Sequence, residues 1–173
     1  DSYAGAIESV FARYGIPLYY AHRSDILKSP VLTLLLGALD AASGGFEYED
    51  VFRCLKTGLA GLSMAECDIL ENYALKWEIR GAMWTRETPW SAHPDGYGEE
   101  WTDEARARLK TVNALRERVQ GPFARLKKGV GGSGEAEQKV RALYGYLEEI
   151  KLPEVLQTQT EQLFAAGEAQ RAE

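Results

Sequence analysis

The sequence predicts a mainly α-helical fold: a multi-helix domain with an antiparallel helical hairpin, a long irregular tryptophan-rich segment and at most one short β-element. Apolar residues recur at helical spacing through most of the chain. Several of these periodic stretches begin at N-cap residues and stop at glycine or proline. The length of 173 residues suits one domain with a sizeable core, and 45% hydrophobic with 27% charged residues excludes intrinsic disorder.

The first predicted helix carries one amphipathic stripe and ends at Gly15, because Pro17 prevents its continuation. Its apolar positions, mostly three or four residues apart, are Tyr3, Ile7, Val10, Phe11 and Tyr14. The following Leu18-Tyr19-Tyr20 is aromatic and favours extended backbone, so we expect the single β-element there.

The second predicted helix is the central core element. Ser29-Pro30 fits an N-cap followed by the first helical position, and the helix should run to about Ala42. Its apolar residues are Val31, Leu32, Leu34, Leu35, Leu36 and Leu39. A helix that is apolar on nearly every side is expected to be buried, so Leu35, at its centre, is predicted to be a core residue.

Two shorter helices follow the break at 43–45. The first should extend over about 47–56 with one apolar face. The second begins with a capping box, since Ser63 and Glu66 stand three residues apart and can satisfy each other's backbone amides. That signal predicts a helix from 63 to about 76.

Periodicity fails from 77 to 101, where glycine and proline punctuate the chain. All four tryptophans lie in this segment: Trp77, Trp84, Trp90 and Trp101. A loop of this length is uncommon in a compact domain unless something holds it or it performs a function. Two interpretations remain open: the indoles anchor an irregular excursion onto the helical core, or they form a contact surface for a partner or for unstacked bases.

Two helices after residue 102 carry facing heptad seams. The first seam consists of Ala105, Leu109, Val112, Arg116, Val119, Phe123 and Leu126, and the second of Ala136, Val140, Leu143, Leu147 and Ile150. Gly121-Pro122 should kink or restart the first helix. The glycine-rich joint 129–134 favours an antiparallel hairpin, and Pro153 opens a last amphipathic helix toward Phe164.

We interpret residues 1–173 as a single excised helical subdomain of a larger protein. Residues 1–76 supply the core helices, 77–101 the irregular tryptophan-rich segment, and 102–173 the hairpin with a C-terminal helix. The excision is expected because the sequence begins without Met and stops within a helical pattern.

The overall charge argues against a free-standing nucleic-acid binder, because a net charge of −6 and a pI near 5.1 oppose phosphate contact. Residues 104–128 depart from this average, with eight basic and two acidic residues. This segment is either a solvated helix face that pairs with the acidic remainder or a face for phosphate. If duplex DNA binds, the candidate contacts are Arg125, Lys127 and Lys128, which lie beside the glycine-rich joint with few acidic neighbours before Glu135.

The sequence contains no recognisable catalytic or cofactor site. A phosphate-binding GxxxxGK[ST] loop and a GxGxxG motif after a strand are both missing. His22 and His93 stand alone without a second ligand at metal-binding spacing, and Cys54 and Cys67 are interpreted as small buried thiols. We therefore predict no catalysis and no cofactor or metal site in this chain.

Cysteine usage and hydropathy indicate a cytoplasmic protein. Two cysteines are too few for a disulfide framework, which indicates a reducing compartment. No apolar run reaches the roughly 18 residues that a membrane-spanning helix needs, so no membrane contact is expected.

Several stretches resemble one family of DNA-processing enzymes. Residues 7–17, a helix ending in Gly-Ile-Pro, resemble the segment by which UvrD-like superfamily 1 helicases enter their inserted helical subdomain. Further stretches resemble the B subunit of the AddAB-type ATP-dependent helicase–nuclease. These are residues 25–31, 48–58, 70–74, 79–81 with Trp84, and 146–153. The resemblance covers essentially the whole chain, and its motifs are mainly packing and turn residues.

The resemblance implies an accessory helical subdomain of a parent enzyme that works with an A subunit, as a heterodimer, at broken duplex DNA ends. Such a complex unwinds and degrades DNA and leaves a 3′ single strand for recombinational repair. In the family, the ATP-binding motifs, the nuclease carboxylates and the iron–sulfur cysteines lie outside this subdomain. ATP, Mg²⁺ and the iron–sulfur cluster are therefore expected to be cofactors of the parent only.

The leading hypothesis is that this subdomain positions duplex DNA or docks the other subunit. One alternative is a protein-interaction module in which the tryptophan-rich segment binds a partner and DNA plays no role. Another is the equivalent subdomain of a single-chain UvrD-like DNA helicase.

Overall fold

A computed structural model describes residues 3–18, 29–132 and 134–165. The described residues form seven α-helices and one short 3₁₀ turn. The helices are α1 (Ala4–Arg13), α2 (Pro30–Gly44), α3 (Tyr48–Leu55), α4 (Met64–Lys76), α5 (Asp103–Val130), α6 (Ala136–Glu149) and α7 (Leu152–Ala165), and the 3₁₀ turn is Gly81–Trp84. No strand occurs within these described ranges, so the mainly α prediction is confirmed. Leu18 is irregular, and the rest of the predicted β-element, Tyr19 and Tyr20, lies outside the described residues.

Local capping signals set the helix boundaries close to their predicted positions. The Ser63 hydroxyl accepts a hydrogen bond from the Glu66 amide at 3.3 Å, and the Glu66 carboxylate accepts one from the Ser63 amide at 2.8 Å, which confirms the capping box. Gly45 closes α2 in the left-handed conformation, with φ of 91°. The Thr102 hydroxyl caps α5 by accepting from the Ala105 amide at 3.1 Å.

Helix α5 is the centre of the packing. Helices α2 and α4 and the 3₁₀ turn pack against α5, α3 packs between α2 and α4, and α6 packs along α5 as the second arm of the hairpin. Aromatic rings join these layers: Phe123 on α5 stacks on Tyr146 of α6 with centroids 6.0 Å apart and contacts Phe46 at 5.3 Å. All three rings are buried.

Gly37 brings α2 and α3 together. A Cβ at position 37 would lie 3.0 Å from the Cys54 backbone nitrogen, which is closer than ordinary van der Waals contact allows. The two helix backbones therefore approach each other at a point where only glycine fits without a shift.

The prediction that α2 is buried on every side is wrong. Leu34 is fully buried, but its neighbour Leu35 is only half-buried, and Leu36 is 44% exposed. The reason is that α3 and α5 cover one side of α2, while the opposite side remains partly open within the described part of the chain. The core position predicted at Leu35 belongs to Leu34.

Helix α5 continues through Gly121-Pro122 without a break, so it does not restart there. Proline in a helix interior costs about 3 kcal/mol. Val119 and Phe123, which flank the proline, are both buried, and this packing on either side offsets the cost.

The hairpin of α5 and α6 is confirmed, and the predicted seam of α6 is correct in part, since Ile150 is buried and Leu143 and Leu147 pack against the core. Val140 is 65% exposed, and the contacts to α5 come from Ala142, against Gly129, and from Tyr146, against Phe123. Ala142 and Tyr146 lie one residue before the predicted Leu143 and Leu147, so the contact face of α6 is broader than the predicted seam and is shifted toward them. The rotation of α6 about its axis is set by the stack of Tyr146 on Phe123 and by the close contact of Ala142 with Gly129. The spacing of apolar residues in the sequence contains neither contact.

The joint between the two arms is shorter than predicted. Helix α5 extends to Val130, so Gly129 is helical and the described joint begins at Gly131. Helix α7 then follows a tight corner at Lys151, whose φ is 54°, and Leu152 is buried at its start.

Candidate nucleic-acid and partner-binding surfaces

Three arginines of the basic segment 104–128 are engaged in ion pairs that join α5 to other parts of the protein. Arg125 holds Glu149 of α6 with two hydrogen bonds, from Nε to Oε1 at 2.5 Å and from Nη2 to Oε2 at 2.7 Å. Arg118 pairs with Glu66 of α4 at 2.5 Å and also donates to the Gly61 carbonyl. Arg108 pairs with Asp95 of the tryptophan-rich segment. These cations therefore cross-link the fold, as the interpretation of a self-paired helix face predicts.

A fourth arginine of the segment, Arg116, is buried without a carboxylate partner among the described residues. It is 1% exposed, donates to the Arg86 carbonyl and lies 5.7 Å from the centroid of the Trp90 ring. Its Nε has no hydrogen-bond partner in the described structure. Burial lowers the pKa of the Arg116 guanidinium, and the nearby charge of Arg86 lowers it further. Arg116 holds the tryptophan-rich segment to α5 and presents no charge to solvent.

The three candidate DNA contacts differ in their surroundings. Arg125 is engaged by Glu149, whereas Lys127 lies with its ammonium 5.6 Å from the Phe46 ring centroid. Lys128 is exposed and makes no ion pair within the described ranges. Residues two apart on a helix face nearly opposite directions, so Arg125 and Lys127 do not form one patch. The three residues are close in sequence, but they do not share one face of α5.

Side chains of α4 and α5, together with Trp77 of the segment itself, hold the tryptophan-rich segment by its backbone carbonyls. The donors are Tyr73 to Ala92 at 3.0 Å, Lys76 to Pro94 at 3.0 Å, Trp77 to His93 at 3.0 Å and Gln120 to Thr85 at 2.8 Å. Asn113 brackets Trp90, accepting from its amide at 2.8 Å and donating to its carbonyl at 2.9 Å. These bonds replace a ladder of secondary structure, because buried backbone groups need partners.

The indoles serve mainly as anchors. Trp84 and Trp90 are buried and donate to carbonyls of the segment itself, Ile79 at 3.2 Å and Met83 at 3.1 Å. Their rings meet edge to face at 5.3 Å. Trp101 is 38% exposed and is the tryptophan that reaches solvent most. The anchoring interpretation therefore accounts for the two buried indoles. Trp77 is half-buried, and Trp101 is the most exposed indole available to a contact surface.

The chemistry-bearing residues are satisfied within the fold. Cys54 Sγ and the Tyr146 hydroxyl share a hydrogen bond of 3.3 Å, and Cys67 donates to the Leu55 carbonyl at 3.3 Å. Burial raises the pKa of Cys54 to about 12 and that of Cys67 to about 11, so both are protonated, buried thiols, as predicted. His93 accepts from the Asp95 amide through Nδ1, which leaves Nε2 to donate to the Glu100 carbonyl at 3.2 Å. His22 lies outside the described residues.

Neither a metal centre nor a membrane span is seen in the described part of the chain. No three His, Cys, Asp or Glu residues there approach closely enough to hold a metal ion. None of the helices described above is both long and apolar enough to cross a bilayer.

Curated proteins of one name match this chain along its whole length. The B subunit of the ATP-dependent helicase/deoxyribonuclease from Clostridium botulinum (strain Loch Maree / Type A3) is 35% identical over 173 residues, which is 99% of this chain and 15% of that protein. The proteins of the same name from Acetivibrio thermocellus and Heliobacterium modesticaldum are also 35% identical, over 96% and 99% of the chain. The chain is a homologue of one segment of these B subunits. It spans about 15% of their length. No protein-family profile matches the chain.

In this homologue of a B-subunit segment, Arg108, Arg118 and Arg125 and the donors to the tryptophan-rich segment are thus used within the fold. Its cations and tryptophans are evident in the sequence, but the individual residues with which they pair are not. Asn113, Gln120 and Tyr73, which hold the irregular segment, carry no motif that could have identified them, because their acceptors are backbone carbonyls.

Proposed function

We propose that this chain is an accessory helical subdomain of an ATP-dependent helicase–nuclease B subunit that takes part in processing double-strand DNA breaks for recombinational repair. The observation that carries the proposal is the 35% identity over 99% of the chain to proteins of that name. In this proposal the chain contributes positioning or docking, and catalysis belongs to other parts of the subunit or the complex.

The engaged cations of α5 support a positioning role. Arg108, Arg118 and Arg125 each tie α5 to a different part of the fold, and each would have to break its ion pair before contacting phosphate. A cationic side chain that is already in an ion pair gains less free energy from binding a new anion than an unpaired cationic side chain does. Helix α5 therefore serves mainly to hold its neighbours in fixed relative positions.

We further propose that the B subunit works with an A subunit and meets DNA through the assembled complex. ATP, Mg²⁺ and an iron–sulfur cluster would then be held by parts of the complex outside this chain. The chemistry of Cys54 and Cys67 supports this, because metals bind thiolates and burial keeps both thiols protonated.

The positioning role is tested in the full-length B subunit purified with its A subunit. Gly129→Leu forces a bulky side chain against Ala142 and loosens the hairpin, whereas Gly145→Ala, on α6 with nothing within 4 Å, is the matched control. We expect Gly129→Leu to degrade less linear duplex DNA per ATP hydrolysed, and the control to match the wild type. Equal degradation per ATP in both variants would contradict a positioning role.

A direct DNA contact is the second candidate, and the unpaired state of Lys127 and Lys128 among the described residues favours it. Each phosphate contact adds about −0.9 to the slope of log affinity against log salt, so two contacts give about −1.8. Replacing both lysines by alanine should flatten that slope. Arg125→Ala should change the slope little, because the charge of Arg125 is already paired with that of Glu149. A wild-type chain that shows no salt-dependent duplex binding at low salt would rule this contact out.

A further inference from the structure

Four leucines of α2 have the spacing i, i+3, i+4 and i+7 and follow the side of the helix that is least covered by α3 and α5. This leucine stripe consists of Leu32, Leu35, Leu36 and Leu39. Leu36 is 44% exposed, and the other three are half-buried. Leu39, at the end of the stripe, packs against the core, so the uncovered part consists of Leu32, Leu35 and Leu36. The opposite side of the same helix is covered, since Leu34, Ala38 and Ala41 are fully buried.

The stripe has the form of a helix-docking face. Apolar side chains at this spacing line one side of a helix and form the ridges between which a second helix packs. No charged residue interrupts the stripe, and its edge is polar: Asp40 is paired with Arg53 of α3 at 2.5 Å. An apolar centre with a polar rim is the usual composition of a protein interface.

We propose that the leucine stripe is covered by an apolar helix from the remainder of the same B-subunit polypeptide. This inference rests on the proposed function, in which the chain is one segment of a longer subunit. The homologous subunits are long enough to supply such a helix, since the chain spans only about 15% of their length.

The size of the stripe favours an occupant from the same polypeptide over a separate protein. Stable interfaces between separate proteins bury more than about 1,000 Å², which is far more surface than four leucine side chains offer. A helix tethered in the same chain docks at a high effective concentration, so a small apolar face is sufficient. An uncharged stripe also resembles a core divided between two domains more than it resembles a transient contact.

Helix α1 gives independent support for an additional apolar layer. Its apolar stripe includes Tyr3, Val10 and Tyr14, which are all exposed, and none of the other described elements packs extensively against it. Two helices of this chain thus present apolar faces without a partner in the described structure.

Thiol labelling at the stripe tests the proposal. Leu36→Cys is reacted with a maleimide in three samples, namely the chain 1–173, the full-length B subunit on its own, and the full-length complex of the A and B subunits. Mass spectrometry of the peptide that contains residue 36 measures the labelling rate. Leu75→Cys on α4, at a position that is also exposed, is the matched control.

We expect residue 36 to react about tenfold or more slowly in the full-length B subunit than in the chain 1–173, because a covered thiol reacts only when its contact opens. Residue 75 should react at the same rate in all three samples. If Leu36→Cys fails to fold, hydroxyl-radical footprinting of the wild-type leucines gives the same comparison.

Three other results would overturn the proposal. Fast labelling in every sample would mean that the stripe stays uncovered. If labelling of residue 36 slows only after the A subunit is added, the stripe is covered by the A subunit. If labelling of the chain 1–173 slows as its concentration rises, the stripe is covered by a second copy of the chain. A wild-type complex that fails to degrade DNA would refute the proposed function and leave the labelling result unchanged.

Discussion

The contact between α5 and α6 predicts that Gly129→Ala destabilises the protein, although alanine is the better helix former. A Cβ at position 129 would overlap the Cβ of Ala142 on α6. Both residues lie within helices, so neither backbone can move without disturbing the Phe123–Tyr146 stack farther along the hairpin.

The magnitude follows from two opposing effects. Overpacking of a helix contact costs about 1–3 kcal/mol, and exchanging glycine for alanine in a helix contributes up to about 1 kcal/mol of stability. Taking the middle of the overpacking range, about 2 kcal/mol, and subtracting a gain of up to about 1 kcal/mol leaves a net loss of about 1–2 kcal/mol. At about 2–4 °C for each kcal/mol in a protein of this size, Tm should fall by about 2–8 °C.

Thermal and urea denaturation of the wild type and of four variants measures this effect; the variants are Gly129→Ala, Ala142→Gly, the double variant and Gly145→Ala. Gly129→Ala/Ala142→Gly moves the methyl group from α6 to α5 and should recover most of the loss, with a coupling free energy of about 1–3 kcal/mol. Gly145→Ala, on α6 with no neighbour within 4 Å, should be stabilising by up to about 1 kcal/mol. If Gly129→Ala is as stable as the wild type, or if the double variant shows no coupling, the proposed close contact between the helices is refuted.

Three further predictions use other parts of the fold. Leu34→Ala should lower the free energy of unfolding by about 2–5 kcal/mol and Leu35→Ala by clearly less, because only Leu34 is fully buried. Denaturant titration measures both losses, and a larger loss for Leu35→Ala would contradict the prediction. Ser63→Ala should cost about 1 kcal/mol through loss of the cap, and an unchanged midpoint would contradict the capping role. Cys54 and Cys67 should resist alkylation at pH 8 until the protein is unfolded, as followed by mass spectrometry. Burial raises the pKa of Cys54 from 9.0 to about 12 and that of Cys67 from 9.0 to about 11. The stability that the two protonated thiols contribute is therefore complete below pH 9 and is lost as the pH rises through the folded-state pKa values. A free energy of unfolding that increases above pH 9 would contradict this.

The parts of the fold that sequence could predict depend on residues close together in the chain. The capping box spans four residues, and the apolar pattern of α3, α4 and α5 repeats every three or four residues. Both can therefore be recognised without knowledge of how the helices pack. The burial of α2 could not be predicted in the same way. Periodicity shows that both sides of the helix are apolar, but whether each side is covered depends on other elements. Among the described residues, only one side of α2 is covered.

The side chains of the candidate surfaces illustrate the same limit. Arg125 and Glu149 are 24 residues apart, and their pairing follows from the rotation of α6, which the stack of Phe123 on Tyr146 sets. The heptad pattern identifies Leu143, Leu147 and Ile150 but not Ala142 and Tyr146, because it takes no account of side-chain shape. The sequence therefore shows the basic segment and allows for its pairing with acidic residues, but it does not identify which carboxylate pairs with which arginine.

The way in which the tryptophan-rich segment is held has a consequence for how the protein can evolve. Tyr73, Lys76 and Gln120 on the helices donate their hydrogen bonds to carbonyl oxygens of the segment. Every amino acid supplies a carbonyl, so a mutation at an accepting position keeps the bond, while a mutation at a donor removes it. The exposed positions of the segment are thus free to drift and to acquire new specificities, and selection for the shape of the loop acts on helices that lie outside it.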